Sequence, residues 1–131
     1  MSELNVIIEQ LDHTTSQALA REHSITIDRP EAKGGQNKGP LGGETFLMGL
    51  GGCFMSNLLA AARVRDIQLT NAKAEIVAEM GDTPVRITDI KMTITGDIVE
   101  PEKLKKLVTI AERGCALVVT LKRSVNLKIK C

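Results

Sequence analysis

Two cysteines, Cys53 and Cys115, are the residues of this sequence best suited to chemistry. Cys53 lies in the stretch GLGGCFMSN, residues 49–57, with glycines packed beside it. Cys115 directly follows Gly114, at the predicted start of a short helix, where backbone N–H groups favour a thiolate. A thiolate can be oxidised reversibly to a sulfenic acid and then to a disulfide. The structural alternative is open for both, because a buried free cysteine usually packs as a small apolar residue.

The third cysteine and the histidines add no metal site. Cys131 is the last residue and is predicted to be incidental. The three cysteines are widely spaced and contain no C-x-x-C pair, which argues against a disulfide framework and against a zinc or thioredoxin-like motif. With His13 and His23 as the only imidazoles, the sequence predicts neither a metal nor a cofactor.

Length and composition predict one soluble domain, residues 1–131. Hydrophobic residues make up 43% of the chain and charged residues 25%, which is typical of a globular protein with its own core. A net charge of +1 and the absence of Trp and Tyr argue against a nucleic-acid surface. The N-terminal sequence MSELNVIIEQ lacks the basic and apolar regions of a signal peptide, so we expect a cytoplasmic protein.

The segment that carries Cys53 is predicted to be a long buried helix, residues 44–64. Glu44 suits its positive N-terminal end, and Arg63 and Arg65 suit its negative C-terminal end. Its glycines, a Ser-Asn pair and the lack of other apolar spans favour a buried helix over a membrane span. Because one small sheet covers only one side of a helix that is apolar all round, we expect a second protomer to cover the rest.

The glycines beside Cys53 require a reason, since each costs about 1 kcal/mol relative to alanine inside a helix. Gly49, Gly51 and Gly52 would let another backbone or a ligand approach the helix closely. The sequence leaves open whether a second helix or a substrate makes that approach.

The remaining pattern predicts an α+β fold. Strands are predicted, in chain order, over residues 3–9, 15–20, 23–28, 72–79, 85–94 and 125–130. A change in the parity of apolar positions predicts a β-bulge near residues 88–89. Helices are predicted over residues 101–114, with Gly114 as the C-cap, and over residues 116–122. Residues 29–43, with two prolines and five glycines, are predicted to be a long loop, either functional or flexible.

These motifs resemble the OsmC/Ohr family. The resemblance runs from about His23 to Lys130, and its most specific parts are the GGC-centred helix and a second cysteine 62 residues after the first. It implies an OsmC-like fold, with antiparallel sheets wrapped around the long central helices of an intertwined homodimer. It also implies a thiol peroxidase that reduces organic hydroperoxides and is reset by an external dithiol.

In the reaction that the resemblance implies, Cys53 attacks the peroxide O–O bond and becomes a sulfenic acid. Cys115 then condenses with it to a disulfide. An apolar wall of Phe46, Leu50 and Phe54 would suit an alkyl hydroperoxide better than hydrogen peroxide.

Glu44 is the candidate for activating or positioning Cys53. Family members carry a glutamate ten residues before the first cysteine; here that position is Gly43, and Glu44 is nine residues before Cys53. They also carry an arginine in the first hairpin, where this chain has LDHTTS. Two alternatives stay open. One is a non-catalytic dimeric module of the same fold that binds a small molecule, and the other is a phosphate-binding protein using the KGGQNKG stretch, which matches no phosphate-loop motif.

Overall fold

Strands and helices follow one another in the predicted order in the computed structural model, which describes residues 2–131. The elements are β1 (Ile7–Gln10), β2 (Ser16–Ala20), β3 (His23–Ile27), α1 (Gly42–Val64), β4 (Thr70–Asp82), β5 (Val85–Asp97), α2 (Pro101–Gly114), α3 (Ala116–Lys122) and β6 (Asn126–Lys130). The predicted α+β class is confirmed. The chain divides into two compact units, Met1–Met48 and Gly49–Cys131, and a single domain over residues 1–131 stays a prediction.

The first unit contains a three-stranded antiparallel sheet in the order β1-β2-β3. Ile8 pairs with Ala18, and Ala18 pairs on its other side with Ile25. β1 begins at Ile7, later than the predicted residue 3. Since Ile7 pairs with Leu19 and β2 ends at Ala20, residues before Val6 have no residue of β2 opposite them.

The long loop after β3 is organised around the buried carboxylate of Asp28. Its oxygens accept hydrogen bonds from the Thr15 hydroxyl and from backbone N–H groups of the residues that follow, namely Arg29, Gln36 and Lys38. Burial alone would raise the pKa of Asp28, but the N–H groups of Arg29 and Lys38 favour the charged form and hold the pKa below its ordinary value. The predicted loop therefore has a fixed local structure, which includes a short 3-10 turn at Glu31–Lys33.

Several donors of the KGGQNKG stretch are engaged in hydrogen bonds within the first unit. The Gln36 and Lys38 backbone N–H groups donate to Asp28, and Lys38 Nζ donates to Asp12 Oδ2 at 2.8 Å. The Lys38 ammonium, followed by the Thr14 backbone N–H, holds the pKa of Asp12 well below its usual range. These donors are the groups that a phosphate would need, so the structure gives no support to phosphate binding here.

The second unit contains a three-stranded sheet in the order β4-β5-β6. β4 and β5 form an antiparallel hairpin in which Glu79 pairs with Asp89 and Met80 with Ile87. Thr88 is left without a partner, which confirms the β-bulge predicted near residues 88–89. β6 pairs parallel with β5, whereas the other strand pairs are antiparallel. The reason is that the α2–α3 connection carries the chain back to the end of the sheet at which β5 begins.

The core of the second unit is aliphatic apart from one phenylalanine. Its fully buried large side chains come from one side of α1, the inner face of β5, and the α2–α3 segment: Leu50, Phe54, Leu58, Ile90, Met92, Ile94, Leu107 and Val118. The spacing of four residues between the buried positions of α1 places them on one face. The opposite side of α1 is exposed in the single chain.

Both ends of α1 are capped. Glu44 Oε1 accepts the backbone N–H of Leu41 at 2.8 Å, the contact that a glutamate at the third helical position makes in a capping box. At the other end Asp66 takes a left-handed φ of 53°, and Ile67 N–H donates back to the Ala62 carbonyl. By length and composition α1 could also cross a membrane, a property it shares with core helices of soluble proteins.

Candidate redox site

The second unit brings Cys53 and Cys115 together. Cys53 lies in the middle of α1, and Cys115 lies at the junction between α2 and α3. The Cys115 thiol donates to Cys53 Sγ across a distance of 3.2 Å. A disulfide requires about 2.05 Å between the sulfurs, so a closing movement of about 1.2 Å would join them. Both cysteines are reduced in the structure.

The two thiols differ in exposure. Cys115 is completely buried, whereas Cys53 is partly exposed. An external oxidant therefore reaches Cys53 more readily than Cys115.

Burial raises the pKa of the Cys115 thiol above its ordinary value. Its hydrogen bond to Cys53 and the negative charge that Cys53 can carry raise this pKa further, while the N–H groups of Val118 and Leu117 oppose the rise. The sequence-based expectation that the α3 N-terminus would favour a Cys115 thiolate is therefore wrong. Desolvation outweighs the stabilisation that these backbone N–H groups provide.

The glycines beside Cys53 fall into two groups. A Cβ on Gly51 would stand 2.8 Å from Ile76 Cδ1, so this glycine makes room for a side chain of β4. A Cβ on Gly49 or Gly52 would meet nothing within 4 Å. The interior of this chain therefore explains Gly51 but leaves Gly49 and Gly52 without a contact.

The predicted apolar wall of Phe46, Leu50 and Phe54 is only partly exposed. Leu50 and Phe54 are 1% and 0% exposed and belong to the core, so in the single chain they cannot line an open pocket. Phe46 is 47% exposed. The immediate neighbours of Cys53 along α1 are nonetheless apolar.

Glu44, the candidate activating residue, has its observed contact at the α1 N-terminus, where Oε1 accepts the Leu41 N–H. Capping accounts for this contact, and an activating role stays a prediction. Cys131 is exposed at the chain end. Over residues 2–131, no three His, Cys, Asp or Glu side chains are grouped as metal ligands.

Asn57 is a site residue that the sequence did not single out. Its Nδ2 donates to the Cys53 carbonyl at 2.9 Å, and its Oδ1 lies beside Gly114. The signal available in the sequence was its position one helical turn after Cys53, inside an otherwise apolar segment.

The fold and the thiol pair define an α+β protein with two adjacent reduced cysteines, one partly exposed and one buried. The model of the OsmC family, described as OsmC-like protein, matches residues 35–130. The chain belongs to the OsmC-like family, as the GGC-centred helix and the cysteine spacing predicted.

Solved structures share this fold at low sequence identity. A hypothetical protein from Aquifex aeolicus VF5 is 20% identical, with a TM-score of 0.84 and coverage of 99% of this chain and 95% of that chain. An organic hydroperoxide resistance protein OsmC from Legionella pneumophila is 16% identical, with a TM-score of 0.75 and coverage of 99% and 96%. The organic hydroperoxide resistance protein OhrB of Bacillus subtilis is 16% identical, with a TM-score of 0.69 and coverage of 98% and 97%. Among curated proteins, no significant match was found.

Proposed function

We propose that this protein is a thiol-dependent peroxidase that reduces organic hydroperoxides to alcohols. The Cys53 thiolate attacks the distal oxygen of the peroxide, the O–O bond breaks, and the alkoxide leaves as the alcohol after taking a proton. The resulting Cys53 sulfenic acid condenses with the Cys115 thiol, which forms the disulfide and releases water. An external dithiol then reduces the disulfide to two thiols and is itself oxidised.

The observation that carries this proposal is the geometry of the thiol pair. A partly exposed Cys53 and a buried Cys115, with 3.2 Å between their sulfurs, suit the roles of a first-oxidised and a resolving thiol. Two cysteines that only filled core space would not need a sulfur–sulfur contact.

We assign an organic rather than an inorganic peroxide as the substrate because the sequence of α1 is largely apolar on both sides of Cys53. Two structural neighbours carry organic hydroperoxide resistance in their names, which is consistent with the same substrate class here. A cytoplasmic location, where thiols are kept reduced, would supply the dithiol.

Titration of the reduced protein with cumene hydroperoxide, followed by disulfide mapping by mass spectrometry, tests this proposal. We expect one equivalent of peroxide to give one Cys53–Cys115 disulfide per chain. Recovery of both thiols unmodified after excess peroxide would contradict the proposal and would favour the non-catalytic binding module.

The rate of disulfide formation after peroxide oxidation should rise with pH. Resolution requires the Cys115 thiolate, and burial, which persists once Cys53 is oxidised, raises the pKa of Cys115 above the ordinary 9.0. Below its pKa the thiolate fraction changes about tenfold per pH unit, so stopped-flow rates should increase with a logarithmic slope of about one from pH 7 and still be rising at about pH 9. A plateau near neutral pH would contradict a raised Cys115 pKa.

We also propose that the protein is a homodimer in which the exposed side of α1 packs against a second copy. The exposed positions on this side within the second unit are Gly49, Gly52, Ser56, Leu59, Ala60 and Arg63. Small residues at the start of this face allow another backbone to come close, and Leu59 is 46% exposed in the single chain. A close partner gives Gly49 and Gly52 the contact that the single chain lacks.

Gly49→Ala tests this homodimer. In an isolated chain the added methyl group meets nothing within 4 Å, so it should stabilise α1 by up to about 1 kcal/mol. Against a closely packed partner it would cost roughly 1–3 kcal/mol of association free energy, and we expect the dimer dissociation constant to rise about tenfold or more. Sedimentation velocity over a dilution series measures this dissociation constant.

The control is Thr109→Ala on the exposed surface of α2. This substitution should leave the dimer dissociation constant unchanged. A wild-type protein that sediments as a folded monomer at micromolar concentration would refute the homodimer.

A further inference from the structure

Asn57 lies between the two backbone segments that carry the thiol pair. Its Nδ2 donates to the backbone oxygen of Cys53, one turn earlier in α1, at 2.9 Å. Its Oδ1 lies 3.2 Å from the point at which a Cβ on residue 114 would stand. Gly114 directly precedes Cys115, so this amide lies between the two segments whose sulfurs are 3.2 Å apart.

Backbone conformation does not explain the glycine at position 114. Helices often end in glycine because that residue adopts a left-handed φ, which was the reason for predicting Gly114 as a C-cap. Gly114 is instead the last residue of α2, and within residues 2–131 the glycine with positive φ is Gly34. A Cβ at position 114 would come closer to Asn57 Oδ1 than the ordinary contact range of 3.4–4 Å. A side chain at position 114 would therefore press on the Asn57 amide, which would have to shift by a few tenths of an ångström.

We infer that Asn57 is a positioning residue that clamps the Cys53 turn of α1 against Gly114 and thereby keeps the Cys115 sulfur within reach of the Cys53 sulfur. The inference rests on the proposed redox chemistry of this pair. A disulfide forms only when the two sulfurs close to about 2.05 Å with a defined dihedral angle. If the segments can drift apart, the effective concentration of one thiol at the other falls, and the disulfide becomes less favourable.

Asparagine combines the two properties that this clamp requires. Its short side chain carries a donor for the Cys53 carbonyl and an oxygen that reaches the opposite segment. Serine would keep a donor able to bond the carbonyl four residues earlier but would not reach Gly114. Alanine would keep neither. Asn57→Ser and Asn57→Ala therefore separate the two halves of the clamp.

Equilibration with reduced and oxidised glutathione measures the equilibrium constant for forming the Cys53–Cys115 disulfide, and it does so without any peroxide. Comparing variants then shows how much Asn57 contributes to that constant. In this reaction oxidised glutathione takes two electrons from the two cysteine thiols, giving the Cys53–Cys115 disulfide and two reduced glutathione molecules. We expect Asn57→Ala to lower the equilibrium constant about tenfold, which corresponds to about 30 mV for a two-electron couple. The equilibrium constant of Asn57→Ser should lie between those of Asn57→Ala and the wild type. Asn126→Ala, which removes an exposed hydrogen bond to Asp89, is the matched control and should leave this equilibrium constant unchanged.

Gly114→Ala perturbs the same contact from the opposite segment. The added methyl group should push Asn57 or the Cys115 segment away, and the disulfide constant should fall. Because both substitutions break one contact, the double variant Asn57→Ala/Gly114→Ala should be clearly less affected than the sum of the two single variants. Additive effects of the two substitutions would overturn the inference. It would also be overturned if the disulfide equilibrium constant of Asn57→Ala lay within about twofold of the wild-type constant.

The glutathione experiment also distinguishes this inference from the proposed function. If glutathione forms the disulfide with the expected differences among variants, but cumene hydroperoxide never oxidises Cys53, the peroxidase proposal fails and the clamp stands. If the wild type forms no disulfide even in excess oxidised glutathione, the clamp is overturned. Circular dichroism checks that each variant is folded, and Asn57→Ser, which can retain the bond to Cys53, tests the Gly114 contact if Asn57→Ala unfolds.

Discussion

Replacing Cys53 with serine should abolish the consumption of cumene hydroperoxide, with a loss on the order of 10³-fold or more. A hydroxyl at this position is not ionised at neutral pH and cannot form the sulfenic acid on which the reaction depends. Cys115 cannot substitute for Cys53, because it is completely buried and burial raises its pKa. Peroxide loss coupled to dithiol oxidation provides the measurement.

Two further variants make this result specific to Cys53. Cys131→Ser removes an exposed thiol outside the pair and should leave turnover unchanged. Glu44→Gln keeps an oxygen that can accept the Leu41 N–H, so it separates helix capping from any charge effect on the reaction. If Cys53→Ser retained turnover, the peroxidase proposal would be refuted, and a loss in Glu44→Gln would support the predicted activating role of Glu44.

The order of elements could be predicted because the apolar periodicity in this chain is strong. The alternation across residues 85–94, with its change of parity, located both β5 and its bulge, since the inner face of a strand must remain apolar on either side of an extra residue. The parallel pairing of β6 could not be predicted this way. Strand direction depends on where the α2–α3 connection returns the chain, and the alternation within β6 is the same in either direction.

The cysteine pair could be predicted only through the family resemblance, because a spacing of 62 residues says nothing about distance in space. The Cys115 thiolate expectation failed for a related reason. A sequence shows that a residue follows a helix end, but it does not show that the residue is 0% exposed, and burial decides the direction of the pKa shift.

Asn57 and Asp28 were missed because a polar residue is informative only when its partners are known. Asp28 directly follows β3 and has the sequence appearance of an ordinary turn residue, yet it is 2% exposed and accepts hydrogen bonds from residues up to position 38. Asn57 has the appearance of an interruption in an apolar helix. In both cases the side chain reaches a segment that is distant in the sequence, and proximity of that kind leaves no local pattern.

Replacing Cys115 with serine should leave the first oxidation intact and remove the second step. Cys53 is the partly exposed thiol of the pair, so it should still consume one equivalent of cumene hydroperoxide per chain. Without a thiol 3.2 Å away, the sulfenic acid has no intramolecular partner. It should persist long enough to be trapped by dimedone, and excess peroxide should convert it to sulfinic acid, which a dithiol does not reduce.

Mass spectrometry of the Cys115→Ser protein therefore distinguishes a resolving cysteine from a packing one. A Cys53 mass increase of one oxygen at one equivalent of peroxide, and of two oxygens in excess, is the expected result, while the wild type treated in parallel should lose two hydrogens as the disulfide forms. Because serine differs from cysteine by one atom and the site is buried, thermal unfolding of the reduced proteins checks that the core is intact. A folded Cys115→Ser protein that continued to turn over many equivalents with an external dithiol would show that the dithiol resolves Cys53 directly. In that case the contact between the two sulfurs would have to be explained by packing alone.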